Sequence, residues 1–396
     1  VKFRVERDVL AEAVAWAARS LPQRPPVPVL AGLLLEADGS GGGTLRLSSF
    51  DYEVSARVEV EASVGEDGRA LVSGRLLADI ARSLPPQPVE FASSGGAGGG
   101  TKVVVTCGSA RFTLLTLPDE EYPALPDMPG AAGTFTGAAF AGAVAQVAVA
   151  AGRDDTLPVL TGVRVEIEGD AVTLAATDRY RLAVRTLPWS PAQPDASSVA
   201  LVPARTLTDT AKALAAADEV VVALAAGSGG EGLIGFDGAA RRTTSRLLDG
   251  EFPKYRSLLP SESSSRATVH TAGLVEAVKR VALVAERNTP VRLAFTDGEV
   301  RLEAGTGDEA QASESLQATL EGDPITIAFN PGYLLDGLGA IDASYARMSF
   351  TAPTRPAVIT GAAGPGGDEA DGDGEGADAG RPSDYRYLLM PVRLSG

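Results

Sequence analysis

Leu157-Pro158-Val159-Leu160-Thr161-Gly162 decides how this chain is read, because the same wording occurs on either side of it. Val27-Pro28-Val29-Leu30-Ala31-Gly32 precedes it, and Thr289-Pro290-Val291-Arg292-Leu293 follows. Pro28, Pro158 and Pro290 are 130 and 132 residues apart. Each lies after an apolar helical stretch and before a strand, a turn and another strand. An internal repeat of this period denotes tandem domains of one fold.

Working outward, each repeat divides into two similar halves. The first half of repeat one reads as a strand at 2–6, a helix at 8–20 and strands at 32–37, 44–48 and 52–60. The helix carries Val9, Leu10, Ala13, Val14, Ala17 and Leu21 on one face. The second half reads as strand 69–72, helix 74–83, then strands at 88–92, 101–106 and 110–116. The pattern is βαβββ, twice. Repeat two predicts helices at 137–151 and 203–216, and repeat three at 271–286 and 330–339. Repeat-two strands fall at 162–168, 171–175, 182–186, 199–202, 219–224, 232–236 and 241–247. Those of repeat three fall at 291–296, 299–304, 325–329, 347–350, 357–360 and 385–391.

Ser73-Gly74-Arg75-Leu76-Leu77, Pro203-Ala204-Arg205-Thr206-Leu207 and Asn330-Pro331-Gly332-Tyr333-Leu334 occupy one register. In each, a strand runs into a helix start through small or capping residues. Linkers rich in Pro, Gly or Ser fall at 123–133 and 259–266. The expected domains are therefore 1–128, 129–260 and 261–396. Two helices per domain cover one sheet face, an α+β architecture. The strands left at the ends of a three-domain arc need pairing or protection, and a second chain would close a ring.

Composition bounds the function. At 44% hydrophobic, the 396 residues can bury a core in each domain, and no apolar run approaches a membrane span. The alternating start, Val1-Lys2-Phe3-Arg4-Val5, has no signal-peptide character. One cysteine, Cys107, excludes an internal disulfide and fits a reducing cytoplasm. One histidine, His270, argues against a His-based metal site or triad. The formal charge of −16 argues against a protein that grips nucleic acid by bulk charge. Residues 364–381 contribute −5 of that through six acids and Arg381, and read as a disordered acidic insert.

Weak motifs fail on chemistry. Gly95-Gly96-Ala97-Gly98-Gly99-Gly100-Thr101-Lys102 is followed by a Val-rich strand, whereas a phosphate loop needs a helix N-terminus. It reads as a hairpin loop. Asp371-Gly372-Asp373-Gly374-Glu375 lacks the acid that a calcium loop needs at its twelfth position, where Gly380 stands. Cys107 reads as a buried small hydrophobe within a strand, and His270 as a residue at a strand end. No carboxylate spacing singles out an acid–base pair, so no catalysis, metal or cofactor is expected.

Several tags in order carry a resemblance. They are Lys2-Phe3 with Val5-Glu6-Arg7, Arg24-Pro25, and Thr177-Asp178-Arg179-Tyr180-Arg181-Leu182. Phe252-Pro253-Lys254-Tyr255, Phe329-Asn330 and Met390-Pro391-Val392-Arg393-Leu394 complete the set. On this threefold repeat, the chain resembles the bacterial DNA polymerase III beta subunit, the replicative sliding clamp, in an actinobacterial wording. The resemblance spans the chain apart from the acidic insert. It implies the DNA clamp fold: a head-to-tail homodimeric ring, with antiparallel sheets outside and helices lining the hole. Duplex DNA passes through without base readout, in the cytoplasm at the nucleoid. DNA polymerase III, the clamp loader and other motif-bearing proteins dock on one face.

A clamp needs a weakly positive bore, and an acidic body can coexist with one. Basic residues on or beside the inner helices are Arg75, Arg82, Arg205, Lys212, Lys279 and Arg280. Arg24 matches the family's DNA-contacting arginine. Each helix base can equally be a solvated face. The resemblance further implies a peptide pocket from Leu160, Thr177, Arg179, Tyr180, Arg181, Leu182, Pro253 and Leu258, together with Leu388, Leu389, Met390, Pro391, Val392 and Arg393. Leu and Met side chains suit several partners. Pro391 withholds a backbone donor, and Arg181 and Arg393 are expected to supply hydrogen bonds at the rim. Read without the resemblance, 388–392 is simply a last core strand. The implied dimer seam pairs Phe112 and Leu114 with Leu283 and Val284, residues that fit an intradomain core as well. A protein-binding repeat scaffold that encircles no DNA and an enzyme with a cleft between repeats are the other classes weighed.

Overall fold

The apolar face of the first helix shows how each half-repeat closes its core. Leu10, Ala13, Val14 and Ala17 recur at helical spacing and are buried, so α1 (Arg7–Ala17) lies on the sheet with its polar side out. Ser49 Oγ donates to the Ala17 carbonyl at 2.7 Å, satisfying one of the acceptors a helix end leaves open. Val9 is 41% exposed and falls off the predicted face, and the chain tightens into a 3₁₀ turn at Ala18–Ser20 before buried Leu21. The computed structural model describes residues 1–95, 101–225, 232–285, 289–305, 310–365 and 385–393. The glycine-rich loop, the acidic insert from 366 onward, its calcium-like motif and Leu394 lie outside the described residues.

Repeat one contains β1 (Lys2–Val5), α1, β2 (Gly32–Asp38), β3 (Thr44–Phe50), β4 (Val54–Glu61) and β5 (Ser63–Glu66). It continues with β6 (Gly68–Ser73), α2 (Gly74–Ser83), β7 (Val89–Gly95), β8 (Thr101–Cys107) and β9 (Ala110–Leu117). Repeat two contains β10 (Ala131–Phe135), α3 (Gly137–Ala148), β11 (Gly162–Glu168), β12 (Ala171–Thr177), β13 (Arg181–Pro188) and β14 (Ser190–Pro191). Then come β15 (Ser197–Pro203), α4 (Ala204–Leu214), β16 (Val220–Ala225), β17 (Leu233–Gly238) and β18 (Arg241–Arg246). Repeat three contains β19 (Ser265–His270), α5 (Thr271–Val281), β20 (Val291–Thr296), β21 (Gly298–Ala304) and β22 (Ala312–Gly322). It ends with β23 (Ile325–Phe329), α6 (Pro331–Gly339), β24 (Tyr345–Phe350), β25 (Ala357–Ala362) and β26 (Tyr385–Leu389).

The βαβββ halves are present, with strands the sequence reading lacked. β10 and β19 begin inside segments read as linkers. β22, eleven residues long, was not anticipated at all. Its start, Ser313-Glu314-Ser315, carries no apolar residue, and the alternation of Leu316, Ala318 and Leu320 with Gln317, Thr319 and Glu321 is confined to its second half.

By its contacts the chain forms two compact units. One comprises Val1–Phe140, Ser190–Gln193 and Asp209–Leu247; the other comprises Ala141–Trp189, Pro194–Thr208 and Leu248–Gly396. The first holds an antiparallel sheet ordered β14-β10-β16-β17-β18-β4-β3-β2-β6-β9-β8-β7-β1-β5. The second holds the order β15-β11-β12-β13-β26-β25-β24-β19-β22-β21-β20-β23. Repeat two therefore contributes strands to both sheets. In the first unit α1 packs on α2, β3 and β4 over Leu33, Leu35, Leu45, Leu47 and Phe91. In the second, α5 packs on α6 and on β19, β21 and β22.

Two helix starts carry side-chain caps, the one at Asn330 as the sequence predicts and the one at His270 in addition. Asn330 Oδ1 accepts from Tyr333 N at 3.2 Å, with Pro331 in the first turn of α6. His270 Nδ1 accepts from Gly273 N at 3.2 Å at the start of α5. Cys107 is buried, with its Sγ 3.3 Å from the Gln87 carbonyl.

Candidate functional site

One turn organises the site. Between β12 and β13, Asp178 Oδ1 accepts from Tyr180 N at 3.0 Å and Arg181 N at 3.1 Å. Thr177 Oγ1 donates to the Arg181 carbonyl at 2.6 Å and accepts from Arg179 N at 3.3 Å. These bonds hold Arg179 at φ 81°, a left-handed conformation that costs a residue with a Cβ about 1–2 kcal/mol. The turn thereby projects Tyr180 into solvent, 54% exposed. β26 pairs with β13, Arg181 opposite Leu389 and Leu182 opposite Leu388, and Met390 N donates to the Tyr180 carbonyl at 2.9 Å.

A cavity of about 970 Å³ opens beside this turn. Leu182, Pro253, Leu258, Pro356, Leu388 and Met390 give it apolar walls, and Thr177, Arg179 and Arg393 bring polar groups. Leu258 and Met390 are half-exposed, so the walls are open to an incoming apolar side chain. A second cavity of about 560 Å³ adjoins it through shared Arg179 and Arg181, and Leu160, Tyr180, Asn330 and Tyr333 line it. Together they form a groove suited to a short peptide with two apolar anchors.

Arg181 departs from the rim role expected of it. Its side chain is only 5% exposed, with Nε 3.0 Å from Asp178 Oδ2 and Nη1 2.5 Å from Asp336 Oδ2. The guanidinium also lies over the Tyr333 ring, 4.4 Å from its centroid. Burial opposes its charge, but Asp336, Tyr387 and Asp178 outweigh burial and push its pKa above the ordinary value. Arg181 is a permanently charged strut within the groove wall. Of the other predicted pocket residues, Leu389 is fully buried, and Leu389, Pro391 and Val392 line neither cavity. The chain also does not stop pairing at Pro391, since Val392 N donates to the Ala328 carbonyl at 2.8 Å. Ser257, Pro260, Thr351, Thr354 and Arg355 line the larger cavity and were not foreseen, because loop residues carry no periodic signal.

The predicted DNA-facing bases are all exposed, but they differ in engagement. Among the described residues, Arg24, Arg205 and Lys212 make no ion pair. Arg75 Nη2 donates to the Pro22 carbonyl at 3.0 Å, Arg82 lies 3.6 Å from Asp79, and Lys279 Nζ lies 2.8 Å from Glu276. Arg280 is bidentate to Glu314 of β22, at 2.6 and 3.0 Å.

Within the sheets, β9 and β22 each keep part of one edge open. β9 pairs with β6 only at Thr116 and Leu117, leaving 110–115 free on that side. β22 pairs with β19 only from Ala318 onward, leaving 312–317 free. Phe112 is half-buried against the core of the first unit, and Leu114 lies inside that core. Leu283 is 84% exposed in the 3₁₀ turn Ala282–Val284, and Val284 is half-buried. Among the described residues no helix is long and apolar enough to cross a membrane, and no cluster of His, Cys, Asp and Glu can hold a metal.

Paired helices on repeated antiparallel sheets, with a peptide-sized groove at the last strand, are the features of the DNA clamp fold. Family models agree at every repeat: DNA polymerase III beta subunit N-terminal domain over 1–126, central domain over 134–254 and C-terminal domain over 256–366. The chain belongs to the DNA polymerase III beta subunit family. It is 63% identical over 396 residues to the beta sliding clamp of Streptomyces coelicolor, covering all of both chains. It is 49% identical over 394 residues to a beta sliding clamp homolog, GriR, of Streptomyces muensis, again covering both. A crystal structure of the Pseudomonas aeruginosa sliding clamp bound to griselimycin superposes with a TM-score of 0.85 at 27% identity, covering 99% of each chain.

Proposed function

We propose that two copies of this chain close head to tail into a ring around duplex DNA and tether the replicative polymerase to it, without catalysis. The carrying observation is a rule of pairing in the sheets. The last strand of a first half joins the last strand of a second half twice: β4 with β18, and β13 with β26. The last strands of halves left without such a partner are β22 and β9, each with part of one edge open. A second copy satisfies both, and an edge so paired no longer invites aggregation.

The registers of the two joined seams agree. Arg57 faces Arg242 in one, and equivalent Val184 faces Arg386 in the other. Carried onto the open edges through the hairpins at 107–110 and 296–299, this register sets Arg111 of one copy opposite Ser313 of its partner, and Ala110 opposite Glu314. Leu283 and Phe112 would then flank the seam. The seam also accounts for Arg280, which is committed to Glu314 beside it rather than offered to DNA.

In this reading the domains are 1–128, 129–260 and 261–396. Arg24, Arg75, Arg82, Arg205, Lys212 and Lys279 face the duplex and contact phosphates. The groove at Met390 takes a short peptide from the polymerase, from the clamp loader and from other partners in turn, in the cytoplasm at the nucleoid. The test is retention. The chain loaded by its loader stays on nicked circular DNA and leaves linear DNA through free ends. Equal loss from both substrates would refute encirclement.

A further inference from the structure

Glu166 stands out among the buried groups that the groove itself does not use. Its side chain is 3% exposed on β11, between Arg164 and Glu168 on the same face of the strand. A buried carboxylate is costly unless it is paired and hydrogen-bonded. Here Arg164 Nε lies 2.6 Å from Oε1, and Arg256 Nη2 lies 2.5 Å from Oε2. The Tyr255 hydroxyl donates to Oε2 at 2.8 Å. Burial pushes the pKa of Glu166 up, but the bonds from Arg164 and Tyr255 and the charge of Arg256 outweigh it, so the net shift is downward.

Two of those three partners come from one short segment. Tyr255 and Arg256 open the 3₁₀ turn Tyr255–Leu258, and the same segment supplies Pro253, Ser257 and Leu258 to the larger cavity. The turn has few bonds of its own: Ser257 N and Oγ both reach the Lys254 carbonyl, and Tyr255 N reaches Pro253 O. Phe252 and Tyr255 pack with Leu182 and Leu388, which line the same cavity. A 3₁₀ turn of four residues does not hold its position by helical cooperativity. Beside that packing, Tyr255 and Arg256 both bond to the Glu166 carboxylate on the sheet.

We propose that Glu166 is a positioning residue for partner binding: it anchors the Tyr255–Leu258 turn to β11 and so keeps one wall of the peptide groove preformed. The proposal rests on the groove being the docking site. A preformed wall spares the partner the ordering cost that a loose turn would add on binding. Glu166 touches no partner and acts only through the turn.

The experiment is a double-mutant cycle on the full chain, with a fluorescent peptide carrying the polymerase's own docking segment read by anisotropy. Glu166→Gln keeps the shape and removes the charge, Tyr255→Phe removes one donor, and Leu258→Ala trims the wall. We expect Glu166→Gln to weaken the peptide roughly tenfold, as loss of a charged hydrogen bond would. Tyr255→Phe should weaken it less, with dimer mass unchanged by light scattering. The penalties of Glu166→Gln and Leu258→Ala should be less than additive, because both act through one turn. Additive penalties, or unchanged affinity in both Glu166→Gln and Tyr255→Phe while Leu258→Ala weakens binding, overturn the positioning role alone. Unchanged affinity in Leu258→Ala overturns the groove itself and this role with it. If Glu166→Gln does not fold, the cycle is run with Tyr255→Phe, and the same outcomes decide.

Discussion

Cysteines placed at Arg111 and Ser313 should link two copies covalently. The native thiol is removed by Cys107→Ala, which deletes only the buried sulfur. Directly opposed residues in an antiparallel pair have Cα atoms about 4.5–5.5 Å apart. A disulfide accepts about 4.4–6.8 Å. A slip of two residues moves each partner about 6.7 Å along the strand and sets the pair about 7–8 Å apart, outside that window. Two neighbouring pairs, Arg111 with Ser313 and Ala110 with Glu314, cover both hydrogen-bonding classes, and the one with the closer approach should oxidise more fully. The assay is mild oxidation followed by non-reducing electrophoresis. It should give a covalent dimer from the double variants, none from either single variant, and little from Arg111 with Ser315. A ring closed at both seams also becomes unable to leave circular DNA in denaturant until it is reduced. Monomer throughout, or equal linkage in the displaced pair, would refute the strand pairing.

Other outcomes follow from the same geometry. Met390→Ala should cost the docking peptide tenfold or more, as loss of a central apolar contact does, while dimer mass stays unchanged. Replacing Arg24, Arg205 and Lys279 with Glu should shorten retention on circular DNA and flatten its salt dependence, since each removes a phosphate contact. Arg280→Glu should instead weaken dimerisation by placing like charges at Glu314, read as a raised dissociation constant in sedimentation. The pH dependence of Glu166 is also signed. Its folded pKa lies below the ordinary 4.5, so its stabilisation is complete above 4.5 and is lost as pH falls through the depressed value. The gap in thermal midpoint between the natural chain and Glu166→Gln should therefore be constant near neutrality and close in acid.

The repeats differ in what lines the turn equivalent to the one at the groove. The β3–β4 turn copies the Asp-centred bonds to the backbone of the β12–β13 turn. Asp51 Oδ1 accepts from Glu53 N and Val54 N, and Tyr52 sits at φ 74° as Arg179 sits at 81°. Arg246 N donates to the Glu53 carbonyl as Met390 N does to Tyr180. What differs is the lining. Where Leu182 and Leu388 line a cavity, the paired positions hold Ser55 and Thr244, whose hydroxyls bond to each other 2.5 Å apart and are buried. Bulky Phe50 replaces Thr177, and charged Arg246 replaces Met390. A satisfied polar pair offers an apolar anchor nothing, so this turn is a structural copy with a lining unsuited to one.

The tandem repeat, the six helices, the capping at Asn330 and most strands were legible in the chain itself, because each is a local pattern of period and punctuation. The tags Thr177–Leu182 and Met390–Arg393 pointed to the groove only through the resemblance, since 388–392 read alone is a last core strand. Tertiary structure alone decided the rest. β22 alternates only from Leu316 to Leu320, so the open edge along its polar start appeared only when its neighbours were placed. Arg181 reads as any surface arginine until Asp178 and Asp336 close on it from segments about 155 residues apart. Leu114 and Leu115 are the same residue type, and the pleat sends one into the core and the other to solvent. Sequence records which residues can bury, pair or cap. Which of them meet is set by packing between distant segments, and the seam, the strut and the Glu166 anchor all depend on that.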